Sequence, residues 1–348
     1  MASDDRWLER LRLELAWFTG QAMLRSRGAG AILRFQHVRP QRRGFQPLRE
    51  HEITPQFLDR AIRALKRWKY DFLGMDEVCR RAVTLPDKRR FVALTFDGAS
   101  KDLITYAYPV LARHAVPFTI YVPTAFPDGV GEAWWLGLEQ VIARESRISL
   151  MMGEKEQRFT VADKAGKRAL FSYLESWLRS LPPADLSAAI ADLCTRYRID
   201  LAALSREASM DWEDLARLAA DPLVTIGSAT VNYPVLANLK DAAALREMTM
   251  GKAVAESAFQ REIRHFAFPF GDRASFRRSH VVMAEEAGFA SAASTIPGIV
   301  EAEGRTNLRA LPRIPWDGRV RSLRMLRVLV SGVAFAPVRP TGSATSRT

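Results

Sequence analysis

The sequence predicts an α/β protein built on a parallel sheet. Two apolar runs, Phe91–Phe96 and Phe118–Val122, are typical of buried strands, because strands covered on both faces are almost continuously hydrophobic. The residues between them favour a helix from about Asp102 to His114. Strand, helix and strand therefore follow one another within about 30 residues, as in a βαβ unit. The alternation returns after residue 223, so we expect a parallel sheet, either open or closed into a barrel.

The elements before the first of these strands follow in order. Residues 1–29 are assigned to an amphipathic helix, whose apolar face suits packing against the core or, as an alternative, peripheral contact with a membrane. Ala31–Phe35 predicts a short strand. Thr54 and Pro55 then predict the start of a helix, because Thr caps helices well and Pro is favoured at the first helical position.

The elements after the βαβ unit divide into two groups. Residues 125–145 predict a loop that leads into a helix, and residues 146–210 predict a helical, polar insertion with a break at Pro182 and Pro183. The second group alternates strands and helices as follows: strand 223–226, helix 240–259, strand 265–268, helix 277–287, strand 289–294, strand 310–314 and helix 320–333. Residues 339–348 are rich in small and polar side chains, which indicates a disordered tail.

Composition excludes several classes of protein. Hydrophobic residues make up 48% of the 348 residues, which rules out a disordered or collagen-like chain. Two cysteines, Cys79 and Cys194, are too few for a disulfide framework. The net charge of +12 is spread along the chain without a nucleic-acid-binding signature, so a nucleic acid is not an expected partner. Asp4 and Asp5 do not fit the start of a signal peptide, and we expect a cytoplasmic protein.

Three polar segments follow predicted strands and are candidates for a functional site. They are Thr95–Asp102, Ile226–Pro234 and Phe266–Asp272. In parallel α/β folds the residues just past the carboxyl ends of the strands line the site. We therefore expect the three segments to meet.

At these segments the chain resembles the polysaccharide deacetylase family, whose shared unit is the NodB homology domain. The first is similar to the family's Thr-Phe-Asp-Asp-Gly motif, the second to its His-Ser/Thr-x-x-His-Pro motif, and Arg264–Asp272 to its Arg-His-Phe-Ala-Tyr-Pro-Tyr-Gly-Asp pattern. The resemblance extends to the branch of chitooligosaccharide and exopolysaccharide deacetylases. It implies a distorted (β/α)7 barrel over residues 30–338, with the helical insertion 146–210 and terminal helices.

The resemblance also implies a metal-dependent N-deacetylase site, but this sequence departs from it. Asp97 stands at the position of the general base. Gly98, Ala229 and Tyr233 stand at the three metal-ligand positions. Glycine and alanine carry no donor atom, and a neutral phenol is a poor zinc ligand. We therefore expect no zinc and no other cofactor, with Asp97 either a vestigial base or a cap of the following helix.

The remaining expectations concern the ligand. By resemblance, Phe268, Pro269, Phe270 and Trp135 are expected to contact substrate, and His37 and His265 to be satisfied histidines near the core. We expect a protein that has lost metal-dependent catalysis and still binds a glycan, an N-acetylated sugar oligomer or a protein partner. The alternative is an active hydrolase that releases acetate from N-acetylated sugars with an unorthodox site.

Overall fold

The computed structural model describes residues 28–320 and 322–335. The amphipathic helix predicted within residues 1–29 therefore lies almost entirely outside the described residues, as does the predicted tail 339–348. Within the described residues, no helix is long and apolar enough to span a bilayer.

The strands and helices alternate along most of the chain. The strands are β1 (Gly30–Phe35), β2 (His37–Val38), β3 (Glu52–Ile53), β4 (Asp71–Phe72), β5 (Phe91–Asp97), β6 (Phe118–Val122), β7 (Arg147–Met152), β8 (Lys155–Thr160), β9 (Val224–Ser228), β10 (His265–Ala267), β11 (Ser291–Ala293) and β12 (Ile314–Pro315). The α-helices are α1 (Pro55–Arg67), α2 (Met75–Val83), α3 (Tyr108–Arg113), α4 (Trp134–Arg144), α5 (Lys164–Ser180), α6 (Pro183–Arg196), α7 (Leu201–Ala208), α8 (Trp212–Ala219), α9 (Asp241–Phe259), α10 (Arg278–Glu286) and α11 (Leu323–Ser331).

One large parallel sheet organises the molecule. Its strands lie in the order β11-β10-β9-β6-β5-β1-β12, and β4 also pairs with β5. A parallel bridge joins Ala293 of β11 to Leu311, and the chain continues from Leu311 into β12, which pairs with β1. The sheet therefore curls round on itself with helices outside it, which confirms the predicted barrel-type α/β fold.

Burial explains why the central strands form where the sequence predicts them. All seven residues of β5 and all five of β6 are buried, as expected for strands packed on both faces. Helix α1 begins as predicted, because the side chain of Thr54 accepts a hydrogen bond from the backbone N–H of Phe57. Its residues Leu58 and Ile62 are fully buried against the sheet.

The segment 146–210 differs from the helical prediction at its start. Strands β7 and β8 form an antiparallel hairpin, joined by a two-residue turn in which Gly153 has a φ of 65°. Helices α5, α6 and α7 follow the hairpin. Side chains of this segment pack with α4 in an apolar cluster that is separate from the main core. The hairpin was missed because β8 is polar and mostly exposed, so it carries no hydrophobic alternation.

The last strand is also shorter and later than predicted. Residues Leu308–Ala310 form a short turn of helix, and β12 covers only Ile314–Pro315. Pro312 has no backbone N–H to donate to a neighbouring strand. The predicted strand 310–314 therefore starts too early, although its end lies beside β1 as expected.

Candidate functional site

A cavity of about 230 Å³ opens at the carboxyl ends of the barrel strands. Asp97 ends β5 and pairs in register with Tyr121 of β6, which in turn pairs with Gly227 of β9. Asp97, Tyr233 and Phe270 line the cavity and come from the first, second and third predicted segments. The structure thus brings the three segments together at one end of the sheet.

Two arginines bind the carboxylate of Asp97. Arg34 Nε donates to Oδ2 over 2.6 Å. Arg313 donates from Nη1 to Oδ1 over 2.7 Å and from Nη2 to Oδ2 over 2.9 Å. Arg313 also donates to the backbone oxygen of Ser294 and to the hydroxyl of Thr95. Both oxygens of Asp97 are therefore held by guanidinium groups, in the geometry of a strong charge-assisted pair.

The arginines set the protonation state of Asp97. Burial alone would raise the pKa of this carboxyl, but the charges of Arg313 and Arg34 outweigh burial and hold the pKa below its usual value. A carboxylate with a lowered pKa accepts a proton poorly, which makes it a weak general base. The hydrogen bonds of Asp97 also argue against the alternative that this residue caps the following helix. Among the described residues, its partners are the two arginines and not the backbone of that helix.

Of the three positions that the resemblance assigns to metal ligands, two line the cavity with Asp97, and the third is buried outside the lining. Gly98 borders the cavity with a φ of 94°. Tyr233 also borders it, and burial, followed by the charge of Asp97, raises the pKa of its phenol. Ala229 is fully buried in an apolar cluster. The site at these positions is therefore formed by a backbone turn, an aromatic ring and a methyl group.

Zinc does not fit this set of residues. A zinc site needs three or four nitrogen, sulfur or oxygen donors that converge on one point. Among the described residues, no group of three His, Cys, Asp or Glu side chains is placed to hold a metal ion. In addition, the charge of Arg34 lies against Asp97, where a divalent cation would be repelled.

Aromatic side chains form one wall of the cavity. The Trp135 ring stacks on Phe126 with 6.0 Å between centroids, and meets Tyr233 edge-on at 6.1 Å. Phe270 lies 5.2 Å from Tyr233, also between ring centroids. Trp134 contacts Trp135 and Phe270. The wall presents large apolar surfaces, of the kind that bind the faces of small ligands.

The residues predicted to contact substrate divide between this wall and the core. Trp135 and Phe270 line the cavity. Phe268 is fully buried and stacks on Phe276 at 4.2 Å between centroids, and the buried Pro269 is not part of the lining. In an extended chain Phe268 and Phe270 would face the same side, because they are two residues apart. The backbone is left-handed at Phe270, with a φ of 58°, and this departure from the extended form separates the two side chains.

Two side-chain pairs that were not predicted from the sequence also border the cavity. His37 Nδ1 lies 3.0 Å from Asp102 Oδ2, and Arg179 is bonded to Asp272. Arg34 was also missed, although a charged residue inside the apolar strand β1 is a usable signal, because buried charges are almost always paired. His265 lies outside the cavity, buried with Nδ1 at 2.9 Å from Ser291 Oγ.

His51, which also lines the cavity, gives a prediction on acid stability. Burial lowers the pKa of its imidazole to about 4, from an ordinary value of 6.5; Asp317 opposes this shift and Arg34 adds to it. The unfolded chain therefore takes up a proton near pH 6.5 while the folded chain does not, so stability falls as the pH drops from 6.5 toward 4. We expect His51→Gln to reduce this loss by roughly 1–2 kcal/mol. Urea unfolding at pH 7.5, 5.5 and 4.5 measures it, and an unchanged loss in the variant would contradict the assignment.

A curled parallel barrel with its cavity at the carboxyl ends of the strands is the architecture of the polysaccharide deacetylase class, and the comparisons agree. Residues 182–291 match the family model described as polysaccharide deacetylase. A search of the curated proteins finds no match to this chain.

Solved structures of deacetylases have the same fold. The deacetylase PplD of Streptococcus pyogenes in complex with acetate is 17% identical at a TM-score of 0.57, with 87% of this chain and 99% of that chain covered. IcaB from Ammonifex degensii is 14% identical at a TM-score of 0.55, with 87% of this chain and 97% of that chain covered. The BpsB deacetylase domain from Bordetella bronchiseptica is 16% identical at a TM-score of 0.51, with 84% of this chain and 97% of that chain covered. The fold of this chain is therefore that of the NodB-type deacetylases, and its residues 182–291 match the family model.

Proposed function

We propose that this chain is a glycan-binding member of the polysaccharide deacetylase family that has lost metal-dependent deacetylation. One observation carries the proposal. Asp97, at the position of the general base, has both oxygens bonded to Arg34 and Arg313, while Gly98, Ala229 and Tyr233 replace the expected ligands. The family chemistry needs a metal to polarise the acetyl carbonyl and to activate water, and these side chains supply neither a ligand set nor a free base.

The cavity supports binding rather than catalysis. Trp135, Tyr233 and Phe270 offer ring faces and edges beside polar groups, and sites for small ligands combine apolar walls with a few polar groups that fix orientation. The related structures named above include a deacetylase bound to acetate, and an N-acetylated sugar is therefore the first ligand class to test.

The second candidate function is an active hydrolase with an unorthodox site, for which Asp97 would have to activate water without a metal. General base catalysis contributes about 10²–10⁴-fold to a rate. The lowered pKa of Asp97 reduces even this contribution. A metal-free route is therefore disfavoured by the two ion pairs.

Calorimetric titration with N-acetylglucosamine oligomers, combined with an acetate-release assay, tests the proposal. We expect saturable binding without acetate release, and a weakening of about tenfold in Trp135→Ala, which corresponds to about 1.4 kcal/mol. Trp177→Ala is the matched control, because Trp177 is a partly buried tryptophan that is not part of the cavity lining, and it should bind like the wild type. Acetate release with turnover, abolished by a chelator, would contradict the proposal.

A further inference from the structure

The floor of the cavity carries more positive than negative charge. Arg34, Arg313 and Asp97 form one cluster, with exposed side-chain fractions of 11%, 0% and 3%. Two guanidinium groups face one carboxylate, which leaves a net charge of +1 in a buried place. Burying an uncompensated charge is costly, and an anion that enters from the cavity would remove this cost.

The other charged groups around the cavity have partners of their own. His37 is paired with Asp102, Arg179 with Asp272, and Arg319 with Asp317. Among the described residues, the salt bridges of Arg34 and Arg313 go to Asp97 and not to any of these groups.

Two further titratable groups line the cavity. His51 resists protonation, because burial lowers its pKa. Burial also raises the pKa of the Glu175 carboxyl, which lies near Arg179 and Asp272.

Arg34 presents the part of the cluster that a ligand can reach. All donors that Arg313 uses point to Asp97, Thr95 or Ser294, and Arg313 is fully buried. Arg34 lines the cavity and bonds Asp97 through Nε. No carboxylate of the described residues is hydrogen-bonded to its Nη1 or Nη2. These two donors form the planar fork that suits a carboxylate.

We propose that Arg34 binds the carboxylate of an acidic sugar, with the sugar ring against the aromatic wall of Trp135, Tyr233 and Phe270. This inference rests on the proposed glycan-binding function and adds to it the class of sugar, a uronate unit rather than a neutral one. A carboxylate at Arg34 would face the +1 cluster directly. The side chain of Tyr233 is already hydrogen-bonded to Arg34, so the bound carboxylate would share the guanidinium group with the Tyr233 hydroxyl.

Calorimetric titration with three probes tests the inference on the full chain. The probes are a tetrasaccharide of alternating glucuronate and N-acetylglucosamine, a neutral N-acetylglucosamine tetramer, and sodium acetate as a carboxylate without a sugar. We expect the acidic tetrasaccharide to bind at least about tenfold more tightly than the neutral tetramer. Acetate should bind more weakly than the acidic tetrasaccharide, because it makes no contact with the aromatic wall.

Two variants test whether Arg34 causes the preference for the acidic tetrasaccharide. Arg34→Gln leaves Asp97 bonded to Arg313, so the cluster becomes neutral, and we expect the acidic and neutral tetramers to bind equally. Arg34→Lys keeps the charge without the fork, and should weaken the preference without abolishing it. It serves as the second variant if Arg34→Gln does not fold. Arg80→Gln is the matched control, because Arg80 binds Glu77 on the exposed face of α2 and should retain the full preference.

The possible results of these titrations separate the inference from the proposed function. Equal binding of the two tetramers by the wild type would overturn the inference and leave the glycan-binding proposal standing. A preference that survives Arg34→Gln would overturn it as well. Binding of acetate alone, with no gain for the acidic tetrasaccharide, would exclude the sugar acid. Binding of neither tetramer would instead refute the proposed function itself.

Discussion

Asp97→Asn is expected to destabilise the fold by about 3–5 kcal/mol. The amide keeps the shape of the side chain but removes its charge, so Arg34 and Arg313 are left buried without a carboxylate. Breaking a buried pair by removing one partner is costly because the remaining charge stays uncompensated. Urea unfolding at pH 7.5 measures the loss.

Two further variants make this expectation specific to the buried cluster. Asp192→Asn removes an aspartate that pairs with Arg196 on the exposed surface of α6, and should change stability by less than about 0.5 kcal/mol. Adding Arg34→Gln to Asp97→Asn should recover part of the loss, because one uncompensated charge disappears. A loss below about 1 kcal/mol in Asp97→Asn would mean that the aspartate is not an anchor of the fold, and that its retention needs another explanation.

The second large effect is expected from restoring the metal ligands. The triple variant Gly98→Asp, Ala229→His and Tyr233→His should bind zinc at least about a hundredfold more tightly than the wild type, because it adds a carboxylate and two imidazoles. A side chain at position 98 has room, since nothing lies within 4 Å of an added Cβ. Its φ of 94° will cost about 1–3 kcal/mol of strain. Competition with a zinc-binding dye measures the affinity.

The charge of Arg34 gives a second test of zinc binding by the triple variant. Its positive charge beside Asp97 opposes a divalent cation, so adding Arg34→Gln to the triple variant should tighten zinc binding by about a further tenfold. A folded triple variant that binds no zinc, with or without Arg34→Gln, would show that the backbone no longer has the geometry of a metal site.

The barrel was predictable because its strands carry their own signals. The strands β5 and β6 are apolar throughout, and burial on both faces requires this. The hairpin of β7 and β8 carries no comparable run, since β8 is mostly exposed. Its one local signal is Gly153 at the turn, with a φ of 65°, as two-residue hairpin turns often require.

The site was predictable only in part, because only some of its residues carry a signal in the local sequence. The segments that end at Asp97, Tyr233 and Phe270 were found because parallel strands bring their carboxyl ends together. The ion pairs were not, since Arg34 and Arg313 lie 63 and 216 positions from Asp97 in the chain. The sequence alone shows that residues 98, 229 and 233 are not metal ligands. The structure adds that two arginines bind Asp97.

The zinc content of the wild-type chain tests the central claim most directly. The purified protein is incubated with excess zinc, passed through a desalting column and analysed by mass spectrometry for metal per chain. The account predicts far less than one zinc per chain, because Gly98, Ala229 and Tyr233 cannot ligate it and Arg34 stands beside Asp97. Close to one zinc per chain, removable by a chelator and accompanied by acetate release from N-acetylglucosamine oligomers, would contradict it.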